Sequence, residues 1–178
     1  MRKVPFITIL LFSLIFILNG CNNTNCPLNT VAFAHFEFLN SSNNKQYTMV
    51  DNVIVTGFTI TDVTLIDTLE NGTIITKVVK DSLLNDTIFN RPKTNMNLPL
   101  SYNSKTTYVI HYNEKMKDTI VVEHTNIPYL ENIDCGTMMF YKVNNFSYTT
   151  NALDSIVMVN PDINNEEKIN FNIYFTNN

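Results

Sequence analysis

The side chains best suited to covalent chemistry are the cysteines Cys21, Cys26 and Cys135, and the first two lie only five positions apart. Ahead of Cys21, Arg2 and Lys3 make a short positive stretch, and Val4 to Leu18 is apolar apart from Thr8 and Ser13. A membrane-spanning helix needs about 20 apolar residues and the core of a secretory signal about 7 to 15, so the run fits a signal peptide over residues 1–20. Leu18-Asn19-Gly20-Cys21 then has the form of a bacterial lipobox, with Asn19 its one atypical member; an uncleaved anchor with an incidental Cys21 is the alternative. Cleavage before Cys21 leaves a sulfur for diacylglycerol and an amino group for a further acyl chain. Two or more chains, at about 0.8 kcal/mol per buried methylene, hold a protein on a bilayer durably. The expected membrane contact is therefore a lipid anchor on Cys21.

Cys26 and Cys135 are left as an even pair in an exported chain, and disulfides persist in oxidising compartments. A bond between them is expected, with two unpaired thiols as the alternative. Other reactive groups are sparse. His35, His111 and His124 show no ligand spacing, whereas a zinc site needs three or four converging donors. Asp162, Asn164 and Glu166 alternate loosely like calcium-loop oxygens, but Glu167 stands where such a loop needs glycine. Neither a metal nor a cofactor is expected. The chain has no Gly-x-Ser-x-Gly elbow and no glycine-rich phosphate cradle. The reading that follows is a non-enzymatic interaction or accessory module with an envelope protein as partner. An envelope hydrolase, with carboxylates brought together from distant strands, is a lesser alternative. Tyr102, Tyr108, Tyr112 and Tyr129 fall near predicted strand ends or loops and could stack sugars, which makes a glycan-binding surface lipoprotein the main alternative.

One short pattern recurs: Asp67-Thr68-Leu69, Asp81-Ser82-Leu83, Asp86-Thr87-Ile88, Asp118-Thr119-Ile120 and Asp154-Ser155-Ile156. The form is similar to the acceptor sequence for protein O-glycosylation in the Bacteroidetes envelope, and Ser82 or Thr87, in a turn-rich stretch, are the expected sites. The plainer account is that Asp closes a turn through local backbone bonds while the hydroxyl residue opens a strand whose next side chain is buried.

These residues must be positioned by strands, because alternation with period two dominates and long helical periodicity is missing. Ile169, Phe171, Ile173 and Phe175 alternate with polar or amphipathic residues, so one face of an extended segment carries four large apolar groups. Asn71-Gly72 between Thr64–Glu70 and Thr73–Val79 predicts a type I′ hairpin with Leu65, Leu69, Ile74 and Val78 on a shared face. A second hairpin is predicted through 113–117, setting His111 opposite Thr119 and His124 near Thr106. Pro99 cannot donate to a ladder, so Leu98-Pro-Leu100 should be an edge strand or crossover. About ten short strands in one domain over 30–178, behind a polar tether at 21–29, predict an all-β antiparallel β-sandwich, immunoglobulin-like or related; a small β-barrel is the rival. The formal net charge is -4, with 12 Lys and Arg against 16 Asp and Glu, so no nucleic-acid partner is expected.

Cys26-Pro-Leu28 close behind the lipobox cysteine, Leu98-Pro-Leu100, His124-Thr-Asn-Ile-Pro128, Asp134-Cys-Gly136, Asn151-Ala-Leu-Asp-Ser-Ile156, Asn160-Pro161 and the closing 169–175 run carry a resemblance. Together they resemble an uncharacterised family of Bacteroidales envelope lipoproteins, a domain of unknown function. The resemblance implies an all-β lipoprotein with Cys26 and Cys135 paired and no assigned catalytic residue. Asn22-Asn-Thr-Asn25 lacks the acidic residues that mark surface export in that phylum, which favours the periplasmic face of the outer membrane over the cell surface.

Overall fold

Period-two alternation becomes two facing sheets in the computed structural model, which describes residues 26, 31–49, 51–66, 74–89, 93–130 and 135–176. The signal segment, Cys21 and the Asn71-Gly72 turn lie outside the described residues. The strands are β1 (Phe33–Asn40), β2 (Val53–Ile66), β3 (Ile74–Phe89), β4 (Asn95–Pro99), β5 (Lys105–His111), β6 (Lys117–Leu130), β7 (Thr137–Tyr148), β8 (Ser155–Met158), β9 (Asp162–Ile163) and β10 (Phe171–Phe175). They form a four-stranded sheet of order β4-β1-β10-β8 and a six-stranded sheet of order β3-β2-β5-β6-β7-β9. The expected β-sandwich is thus the architecture, and the described residues contain no α-helix.

Large rings weld the sheets together. Phe36 of β1 stacks on Phe171 of β10 with centroids 4.8 Å apart, and meets Tyr108 of β5 edge-on at 6.2 Å. Phe146 of β7 meets Phe171 from the other sheet at 5.4 Å. Aromatic contacts of this kind add about 0.5–1.5 kcal/mol beyond the area they bury. Phe171, Ile173 and Phe175 all point into this core, as their alternation predicts, while Ile169 falls before the strand. β5 likewise alternates buried and half-buried residues along its length. Pro99 ends β4 on the sheet's edge, where its missing N–H leaves no gap in a ladder.

The structure corrects expectations of three kinds: strand direction, hairpin register and the placement of Ser82 and Thr87. The antiparallel scheme has an exception, because β10 inserts beside β1 in parallel, Phe36 opposite Phe171. The first hairpin has a different register: Leu65 faces Ile75, Ile66 faces Ile74 and Val78 faces Asp62, so Ile74 and Val78 do not share a face with Leu65. The cause is long-range. β2 is held on its other side by β5, Gly57 opposite Tyr108, and two register shifts flank Gly57 before the ribbon reaches its turn. A Cβ at Gly57 would lie 3.3 Å from the Tyr108 ring and 3.4 Å from Leu84, so a larger residue here would crowd both side chains by a few tenths of an ångström. In the second hairpin His111 faces Lys117 rather than Thr119, a two-residue slip that keeps every side chain on its predicted face. Third, Ser82 and Thr87 lie within β3, an edge strand, not in a turn-rich stretch.

Asparagine supplies the connections. Asn44 adopts a left-handed backbone with φ of 55°. The side-chain oxygens of Asn40, Asn43, Asn113, Asn160 and Asn164 accept backbone N–H groups two residues on, as turn-forming Asn does.

Candidate functional site

β6 carries the features that bear most on function, because its two ends meet different surroundings. Near its start, Asp118 is fully buried, with 0% exposure. Its Oδ1 accepts hydrogen bonds from Thr149 Oγ1 and the Asn151 N–H, each at 2.7 Å. Its Oδ2 accepts from the Ala152 and Leu153 N–H groups at 2.9 and 3.0 Å. A buried carboxylate is costly unless hydrogen-bonded, and these four donors satisfy it while clamping the loop from β7 to β8. Nearby, burial first, then the Asp118 charge and the hydroxyl's approach to that carboxylate, push the Tyr112 phenol upward. Asp154 is exposed by contrast, and its carboxylate accepts the hydroxyls of Ser41 and of Thr176, the latter at 2.6 Å, which hold its pKa below the ordinary value.

Both aspartates belong to the recurring Asp-hydroxyl-aliphatic pattern, and the aliphatic partners Ile120 and Ile156 are buried. At these two positions the aspartate bonds residues distant in sequence rather than its own turn, and the buried aliphatic residue follows within a strand. Ser82 is exposed and bonds to Asn85 Oδ1. Thr87 is half-buried, opposite Val55. The two hydroxyls share no common site.

Midway along, His124 marks where β6 leaves its neighbour β5. The last paired residue is Glu123, opposite Lys105, and the His124 N–H then reaches Ser104 O at 2.8 Å. The imidazole is buried, edge-on to Tyr141 at 5.2 Å. Its Nδ1 lies 2.8 Å from Asn126 Oδ1 and its Nε2 lies 2.9 Å from Thr106 Oγ1. Asn126 Oδ1 can only accept, so Nδ1 carries the proton and Nε2 accepts from the threonine hydroxyl. Burial lowers the pKa of this neutral ring, and the Asn126 bond partly opposes the shift. His35 lies on β1 and His111 at the end of β5, each away from His124; no group of three or more potential metal ligands occurs among the described residues.

Beyond His124, β6 pairs only with β7, whose other edge carries β9 at Tyr141 and Lys142 and a bridge from Val31 to Met139, and this ribbon ends at Leu130 opposite Thr137. Cys135, two residues before β7, is disulfide-bonded to Cys26, with Cα atoms 5.3 Å apart across 109 residues of sequence. Gly136 next to it takes a φ of 76°, a left-handed value that an L side chain resists. The bond expected from cysteine arithmetic is therefore present, and it ties the N-terminal segment to the ribbon.

Two clefts open elsewhere. One, of about 220 Å³, lies on the outer face of the small sheet and is lined by Phe33, His35, Asn97, Asn164, Asn165 and Glu167 among others. The other, of about 430 Å³, lies by the β5–β6 turn around Ile54, His111 and Tyr112. The proposed sugar-stacking tyrosines do not converge on either. Tyr108 is in the core with its hydroxyl donating to Pro99 O at 2.7 Å, Tyr112 packs on Phe175, Tyr102 is exposed, and Tyr129 stacks on Phe140 in the ribbon. The first cleft went unread in the sequence because its residues come from β1, β4 and the 164–167 loop, and no local spacing announces them.

Residues 71–175, more than half of the 178-residue chain, match the family of unknown function DUF6452. The chain belongs to that family. The DUF6452 match takes in β3 to β10, so it includes Asp118, His124 and Cys135, while β1, β2 and Cys26 precede it. No curated protein and no solved structure matches the chain.

Proposed function

We propose that this DUF6452 protein is a lipid-anchored envelope lipoprotein that acts as a non-enzymatic interaction or accessory module, on the periplasmic face of the outer membrane. The observation that carries the reading is the Cys26–Cys135 bond, five residues downstream of Cys21. A disulfide of this kind persists in an oxidising compartment, which supports export, and it transfers any pull on the tether into the sandwich. The chemistry of the buried polar groups supports the non-enzymatic part. Asp118 and His124 are both consumed by structural hydrogen bonds rather than aimed into a cleft.

The test has two parts. Intact mass of the protein extracted from membranes should show residues 1–20 removed and Cys21 acylated; an unmodified Cys21 overturns the anchor. In-cell crosslinking should then capture one reproducible envelope protein, and a turnover activity without such a neighbour overturns the module reading.

A second reading, glycan binding, is favoured by the cleft beside His35. The side-chain amides of Asn97, Asn164 and Asn165 and the Glu167 carboxylate around the Phe33 ring suit a neutral polyol. Saturable polysaccharide binding that weakens in Asn97→Ala would support it, whereas binding untouched by changes in the cleft would exclude this site.

A further inference from the structure

Among the exposed apolar residues, those of the β6–β7 ribbon stand apart by position. Ile127, Tyr129 and Leu130 are 42%, 40% and 56% exposed. Strand alternation puts Ile127 and Tyr129 on one face and Pro128 and Leu130 on the other, so the ribbon's end is apolar on both faces. Burial alternates along β6 up to His124 and stops there, where pairing with β5 has ended, although Met138 of β7, opposite Tyr129, stays buried. Exposed apolar side chains gathered at one place mark an interaction surface more than singly scattered ones do. Val31, bridged to Met139 of the same ribbon, adds another exposed apolar side chain at 54%.

The chain itself says what meets this surface. Cys135, just ahead of β7 at the ribbon's end, is bonded to Cys26. Cys21 is five residues before Cys26, and five residues extend over at most about 18 Å. Acyl chains on Cys21 therefore hold the ribbon's end close to the bilayer, whatever path the tether takes.

We propose that the end of the β6–β7 ribbon is a membrane contact: Ile127, Tyr129 and Leu130 sit in the headgroup region of the bilayer that holds the lipid on Cys21, and fix how the sandwich stands on it. This rests on the lipid-anchor reading above. Tyrosine suits that depth, since its ring is apolar and its hydroxyl stays wet, and here the ring is braced by stacking on Phe140 at 4.7 Å. The expected lipid is zwitterionic. No Lys or Arg occurs in the sequence from 118 to 141, which contains Glu123, Glu131 and Asp134, so anionic lipid offers no electrostatic gain.

The chain contains no tryptophan, so one introduced residue reports alone. The acylated full chain carrying Tyr129→Trp, or Leu130→Trp as an independent reporter, is reconstituted in phosphatidylcholine vesicles brominated on the acyl chains. The expected result is a blue-shifted emission quenched by bromine, while Met116→Trp, in the β5–β6 turn at the opposite end, keeps its intensity. Flotation of the same samples reads the anchor separately. Protein that floats but whose reporters at 129 and 130 are as little quenched as the one at 116 overturns the contact and leaves the anchor standing. Protein that fails to float and shows an unmodified Cys21 mass overturns the anchor, and the contact with it. A crosslink from position 129 to a second protein, without quenching, assigns the ribbon to a protein partner instead.

Discussion

The two ends of β6 solve the problem of termination in opposite ways. At Asp118 the strand enters a closed end, where a buried carboxylate is satisfied by four hydrogen bonds and the β7–β8 loop is held against it. Roughly 40 Å away at the usual rise per residue, the other end has left β5 and rests on β7, whose far edge Val31 bridges, plus the Cys26–Cys135 bond. The first end spends polar groups to complete a fold. The second leaves Ile127, Tyr129 and Leu130 exposed and supplies order covalently. His124 sits at the boundary, with one hydrogen bond to β5 and one within the ribbon.

The contrast can be broken most strongly at the covalent end. Replacing Cys26 and Cys135 with Ser opens a 109-residue loop, worth about 5 kcal/mol when treated as lost loop-closure entropy. Urea unfolding should show that loss, and hydrogen exchange should rise first in Asn126–Leu130 and Thr137–Tyr141 while β5 stays protected. Uniform exchange would mean the ribbon and the core open together, and the distinction drawn between the ends would fail.

At the closed end, Asp118→Ala leaves the amides of Asn151, Ala152 and Leu153 without their acceptor. With each unsatisfied buried donor costing about 1–3 kcal/mol and water repaying part, the expected loss is about 3 kcal/mol, read from the shift in urea midpoint. Here exchange should rise in 149–154 and leave the ribbon unchanged.

The smallest effect is a pH dependence at the boundary. His124 has a lowered pKa in the fold, so the unfolded chain binds more protons as pH drops below the free value of about 6.5. Its neutral ring contributes stability that is complete above that value and declines as pH falls from there towards the folded pKa. Unfolding midpoints should therefore drop between pH 7 and 5, and the drop should shrink in His124→Gln. An unchanged slope would place the titrating group elsewhere.

Some of this was legible beforehand because it depends on local rules. The 169–175 alternation, Pro99 at an edge and Asn at the turns each follow from what one residue's backbone or side chain permits. The Cys26–Cys135 pairing was legible for a different reason: with Cys21 assigned to the lipid, only one pair was left. The Asn71-Gly72 turn was the most local signal of all and still misled as to register, because β2 also had to satisfy β5 around Gly57. Likewise the Asp-Thr-Ile pattern at 118 marked a special aspartate, but nothing in it revealed the donors at 149 and 151–153 that make the residue a clamp.

By itself, then, the order of amino acids decided the class of fold, the export and anchor expectations, the faces of most strands and the single available disulfide, since these depend on composition, period and counting. Tertiary structure alone decided which strands are neighbours, where β10 runs parallel to β1, which carboxylate is buried and satisfied, and that one ribbon outruns its sandwich. Those outcomes depend on contacts between residues far apart in the chain, where many registers have similar local energies and only the packing of the whole core selects one.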